Sequence, residues 1–270
     1  MAIGTPILEG AVGTANVDSM GYATDLAATF NTGDAVFVKI ACELLFLNEV
    51  ALLCESDDTS VRHLHSNQYD VLANDNKNVT GYIFSFLNLT AQEATDIAKV
   101  RVQNSSLGTQ DISFAVYSVS GILAASALDK IATGIGSAGV TAVTDATAAL
   151  TQADELVMGL VGLEEEIDHL GNWTTGASYV SGNEQSVESG GGGAQGITLA
   201  TAAEVVSATT AQIAQMTDIP GADWIAAIAT YKGAAAAGGP TGVKTINDLA
   251  IASVKTINDL AIASVKTING

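Results

Sequence analysis

Short runs of alternating side chains, cut by polar turn-formers, limit what this chain can become. In DAVFVKIACE, Val36, Val38 and Ile40 share one face of an extended strand, with Phe37, Lys39 and Ala41 on the other, because successive side chains point to opposite sides. VALLCE follows after a short connection. GYIFSFLNL groups Tyr82, Phe84 and Phe86, and DISFAVYSVSG sets Ile112, Phe114 and Val116 against Ser113, Ala115 and Tyr117. In AKVRVQNSS, Val100 and Val102 turn inward while Lys99 and Arg101 turn outward. DELVMGLVGL and DWIAAIATYK complete the series. Asn31-Thr32-Gly33-Asp34, Asn74-Asp75-Asn76, Asn104-Ser105-Ser106 and residues 218–221 stand between the runs. The pattern predicts an all-β fold, an antiparallel β-sandwich of the jelly-roll kind. TAQEATDIAKV suits one or two helical turns, with Thr90 as N-cap and Glu93 completing a capping box. TAAEVVSATTAQIAQM is compatible with helix but rich in β-branched residues, and within a sandwich it is expected to be strand.

Composition narrows the function classes. The 29 acidic residues outweigh the 10 basic ones, for a formal charge of −19. A nucleic-acid surface needs clustered Lys and Arg, and the bases here are scattered, so neither nucleic acid nor an anionic membrane is an expected partner. MAIGTPILEG lacks the basic and apolar regions of a signal peptide, and no apolar run approaches the ~20 residues of a membrane helix. Manufacture and assembly in the cytosol are the expectation. Cys42 and Cys54 sit in apolar, strand-like runs and read as small buried hydrophobes. A disulfide between them stays open, because those runs could be neighbouring strands. Gly190 to Gly193 read as a loop. KGAAAAGGPTG marks a break, giving a β-sandwich over 1–233, a linker over 234–242 and a repeat over 243–270.

The repeat is the unit VKTINDLAIAS, present twice verbatim and begun a third time. Asn247-Asp248 and Asn258-Asp259 are two-residue pairs that tolerate positive φ, which predicts type I′ turns and a short β-meander. Ile246 then opposes Leu249, Ile257 opposes Leu260, and Lys255 opposes Ile262. Leu249, Ile251 and Ile257 fall on one face, with Ala250, Ala252, Val254 and Thr256 on the other. Val243, Val265 and Ile268 repeat the aliphatic positions. Such a sheet has no core of its own, so it is expected to pack on copies of itself or on another protein, by intertwining as a homo-oligomer (a trimer is favoured) or by strand addition.

GDAVFVKI, DISFAVYSVSGILAASALDK, TQADELVMGLVG and DWIAAIATYKGA, in that order across residues 30–233, resemble the lectin-like jelly-roll structural proteins of tailed bacteriophages. The tail is similar to the VKTxNGLAIAS repeats that end many phage virion proteins, with Asn-Asp here at two turns that are Asn-Gly in the family. The resemblance implies a non-enzymatic virion component, such as a head decoration, neck appendage or tail fibre, that contacts other virion proteins.

No motif carries a reaction. Glu164, Glu166 and Asp168 in GLEEEIDHLGNW would share a face and are candidate Ca²⁺ ligands, although a solvated acidic loop is the preferred reading. Carboxylate pairs also serve glycosidases, but no aromatic platform or apolar cleft accompanies this one. His63 and His65 could approach a metal, without a third ligand in view. Asp57, Asp58, Asp70 and Asp75 read as turn acids first. Trp224 is expected in the core. Trp173, near Tyr179, is either core or a sugar-stacking aromatic of a module that binds a host surface glycan.

Overall fold

A computed structural model describes residues 2–17, 23–43, 47–54, 62–66, 68–75, 79–104, 110–137, 139–165, 173, 185–188, 196–219 and 221–234, together with 245–246, 249–250, 256–257 and 260–261. The described residues are all-β and antiparallel, with one short helix among them. The first inner sheet has the order β1 (Ile7–Val17), β9 (Gln110–Val119), β3 (Ala35–Glu43), β7 (Val79–Phe86), β6 (Val71–Asn74). The first outer sheet has the order β2 (Ala23–Ala27), β8 (Ile97–Asn104), β4 (Leu47–Cys54), β5 (Arg62–Ser66). The orders 1-9-3-7 and 2-8-4-5 are those of an eight-stranded jelly roll, with β6 added at one edge.

The sandwich expected over 1–233 contains this unit twice. The second inner sheet runs β10 (Leu128–Gly136), β16 (Trp224–Lys232), β12 (Glu155–Leu163), β14 (Thr198–Val206), β13 (Gln185–Glu188). Beside it, β11 (Thr141–Val143) pairs with β15 (Gln215–Thr217), and Trp173 bridges to Met216 on β15. The registers also repeat. Val36 pairs with Ser118 and Phe86 as Val157 pairs with Thr230 and Glu204. At the other end Cys42 pairs with Ile112 and Thr80 as Leu163 pairs with Trp224 and Thr198. Both first strands carry a register shift near the start, between Leu8 and Gly10 and between Leu128 and Lys130.

The turn before the third strand of each unit repeats as well. Gly33 and Asp154 have φ of 84° and 58°, a region open to Gly and tolerated by Asp. Asn31 N–H donates to Asp34 Oδ2 at 2.9 Å, and Gln152 N–H donates to Glu155 Oε1 at 3.2 Å.

Four layers result. The first core, between the first outer and inner sheets, holds Val36, Val38, Ile40, Tyr82, Phe84, Phe114, Val100 and Val102. The second lies between the two inner sheets and holds Phe37, Ile83, Tyr117, Leu156, Met158, Leu160, Ile225 and Tyr231. The third holds Val157, Val161, Ala200, Ile228, Trp224, Trp173 and Met216. The alternation therefore sorts side chains between two cores rather than between core and water. That is why β12 is buried at every position.

The helix (Ala91–Asp96) carries the capping box read from the sequence: Glu93 N–H donates to Thr90 Oγ1 and Thr90 N–H to the Glu93 carboxylate. The ambiguous segment from Thr201 forms β14 and β15. Cys42 lies buried in β3, flanked by β9 and β7, while Cys54 ends β4 in the other sheet. The two runs are therefore not neighbouring strands, and burial followed by the charge of Glu43 pushes the Cys42 thiol up to about 12. Gly190 to Gly193 and most of the linker lie outside the described residues.

Candidate assembly interface

In the tail, β17 (Thr245–Ile246) pairs with β18 (Leu249–Ala250), and β19 (Thr256–Ile257) with β20 (Leu260–Ala261). Ile246 opposes Leu249 and Ile257 opposes Leu260, the register expected for two-residue turns. The remaining assembly candidates, Val243, Asn247, Asp248, Ile251, Val254, Asn258, Asp259, Ile262, Val265 and Ile268, lie outside the described residues. So does the connection that would join the two hairpins into a meander.

On the jelly-roll pair, β10 is an edge strand with Ile131 and Ile135 half exposed (50% and 55%). Residues 143–145 cross this strand: Asp145 N–H donates to the Thr133 carbonyl at 3.0 Å. A Cβ on Gly134 would lie 1.9 Å from the Val143 carbonyl oxygen, so only glycine fits this approach. A groove of about 750 Å³ opens between β10 and β6, lined among others by Asn74, Thr133, Ile135, Asp145 and Trp224.

The sequence-predicted ligands do not converge. Glu164 directly follows β12 and is half buried, while Glu166 and Asp168 lie outside the described residues. Among the described residues no group of three or more His, Cys, Asp or Glu could hold a metal ion. His63 and His65 alternate with Leu64 along β5. Asp75 acts as a turn acid, its Oδ1 accepting from Val79 N–H at 3.1 Å. Trp173 is buried in the third core, so it is a packing residue and not a stacking platform. Tyr179 and the pair Asp57-Asp58 lie outside the described residues.

Alternation did not reveal the polar side chains buried between the inner sheets. Lys39 Nζ donates to the Gly159 and Ala202 carbonyls at 3.1 and 2.6 Å and sits 4.3 Å from the centre of the Tyr117 ring. Burial pushes this amine well below the usual lysine range. Tyr117 Oη and Thr201 Oγ1 are 2.6 Å apart, and Ser113 Oγ donates to the Ile197 carbonyl at 2.9 Å. Tyr231 Oη donates to Asp70 Oδ2 at 2.7 Å, and burial raises the Asp70 carboxyl despite this bond. At the corner of β10 and β12, Asp129 Oδ2 accepts from Thr151 N–H at 2.8 Å and faces Glu155. Burial opposes the Asp129 charge, but hydrogen bonds from Thr151, Lys130 and Glu155 outweigh it and bring the group to about 2. Burial raises the Glu155 carboxyl, and the Asp129 charge adds to that.

No family model and no curated protein matches the chain. Among solved structures, the crystal structure of Cucumber Necrosis Virus aligns with a TM-score of 0.22 at 10% identity, over 84% of this chain and 94% of that chain. Cucumber Leaf Spot Virus aligns with a TM-score of 0.20 at 12% identity, over 87% and 86%. Neither score reaches the level of a shared fold.

Proposed function

We propose that this chain is a non-enzymatic structural protein of a phage virion, assembled in the host cytoplasm, which displays a jelly-roll pair and is held in the particle by its C-terminal repeats. The observation that carries the reading is the tail. In both full copies of VKTINDLAIAS the described residues pair as a hairpin, Ile246 with Leu249 and Ile257 with Leu260, and a two-stranded hairpin is marginal in water without a surface to cover it. Repeats of one unit supply identical aliphatic rungs, which suits packing on a second and third copy of the chain or on a neighbouring virion protein. The net charge of −19 keeps the displayed body soluble. Deleting Val243 to Gly270 is expected to leave the jelly-roll pair folded, with an unchanged melting transition, while converting an oligomer to a monomer in light scattering and removing the protein from purified particles. Full incorporation of the truncated chain would refute the anchoring role.

A second reading, recognition of a host surface glycan, draws on the groove between β6 and β10. Its volume is that of a small-molecule site, and amide, hydroxyl and carboxylate groups stand near an indole. The acidic surface selects neutral over anionic sugars. Binding on a glycan array that Asp145→Ala removes would support it, and no signal for the intact protein would exclude it.

A further inference from the structure

The two jelly rolls meet through the same face. β1 lies against β13 as β10 lies against β6; β9 lies against β13 and β14 as β16 lies against β6 and β7; β3 lies against β14 as β12 lies against β7; and β3 meets its own counterpart, β12. A set of contacts unchanged when the units are exchanged describes a twofold, self-complementary interface. Ala41 and Gly162 are equivalent positions in the repeated register, and a Cβ on Gly162 would lie 3.1 Å from that of Ala41, as expected of residues beside the axis.

We infer that this chain carries one self-pairing jelly-roll face twice, and that Lys39 restricts the pairing of the first unit to the second unit, of the same chain or of another copy. The residue equivalent to Lys39 is Leu160. In the observed pair the ammonium meets two carbonyls and a tyrosine ring of fixed position. Between two first units, a second Lys39 would stand where Leu160 now packs, putting like charges into one apolar layer, an arrangement that works against the wrong partner. The Tyr117–Thr201 bond acts the same way. The positions equivalent to these residues are Ala229 and Ile83, so in a pair of first units the Tyr117 hydroxyl would face isoleucine. Ser113 corresponds to Ile225. Residues 124–126, which join the units, are exposed, and a short exposed connection is where exchange of units between chains arises.

The test uses the full-length chain with a protease site placed at residues 124–126, cut while folded, then unfolded, refolded and examined by native mass spectrometry. The cut wild-type chain is expected to keep first and second units in equal number, in whatever oligomer its tail forms, and to refold only into pairs of first with second unit. Lys39→Leu is expected to raise the share of first-unit pairs by about tenfold or more, since like-charge contacts at an interface cost several kcal/mol. Abundant first-unit pairs from the wild type, or no change in Lys39→Leu, would overturn the inference. A second arm needs no refolding. In the uncut chain Leu160→Lys is expected to lower the melting temperature sharply, and adding Lys39→Leu, which moves the lysine to the equivalent site, is expected to recover most of the loss. Absence of recovery would contradict a self-complementary face.

Discussion

Replacing Tyr231 with alanine is expected to lower the unfolding free energy by about 3–5 kcal/mol, the range for truncating a large aromatic in a core. Tyr231 is fully buried near the end of β16. Its ring centre lies 4.6 Å from that of Phe37, tilted by 58°, so the pair bridges the two inner sheets. Truncation opens a void between rigid layers that cannot close over it. Tyr231→Phe separates the two contributions of the side chain: it keeps the ring and removes only the donor to Asp70, at an expected cost of about 1 kcal/mol, because the Asp70 carboxylate is half buried and keeps its hydrogen bond from Ser85. Urea unfolding of both variants measures this directly. Equal losses would mean that the hydroxyl, and not the packing, joins the sheets here.

Lys39→Leu is expected to act in the opposite direction, leaving stability unchanged or raising it by about 1–4 kcal/mol, as replacement of a buried charged group by a packed aliphatic often does. The effect depends on pH with a definite sign. Burial holds the folded-state pKa of Lys39 well below the unfolded value of 10.5. Between the two values the unfolded chain binds more protons than the folded one, so wild-type stability rises with pH across that window and is lost as pH falls through it. The advantage of Lys39→Leu is therefore largest at the acid end of the window and shrinks as pH approaches 10.5. Melting curves of both proteins across this range check the sign. A wild type that loses ground to the variant as pH rises would show that the two carbonyls and the Tyr117 ring favour the ammonium over its burial cost.

Much of the fold was legible in the order of residues, for a local reason. Alternation in β3, β7 and β9, the turn at Asn31 to Asp34 and the capping box at Thr90 and Glu93 each depend on neighbours within a few positions. The same holds for the hairpin register of the tail, set by two-residue connections. The doubling of the jelly roll was much less legible. DISFAVYSVSG and DWIAAIATYKG occupy equivalent strands, but few identities survive between them, and registers rather than residues carry the repetition. Lys39 shows the remaining gap. In the chain it is one polar residue among apolar ones, and alternation fixes its face without saying what covers that face.

Residue order alone therefore set the strands, the turns, the antiparallel class and the hairpin register of the repeat, because each follows from backbone geometry and side chains close in the chain. Only the packed molecule decided that both faces of the central strands β3, β12 and β16 are buried, that two units meet across a twofold, and that Lys39, Tyr117 and Tyr231 bridge them. Those outcomes depend on groups 84 to 163 residues apart, from Tyr117 and Thr201 to Lys39 and Ala202, brought together by the hydrophobic closure of two sheets, which no local pattern encodes.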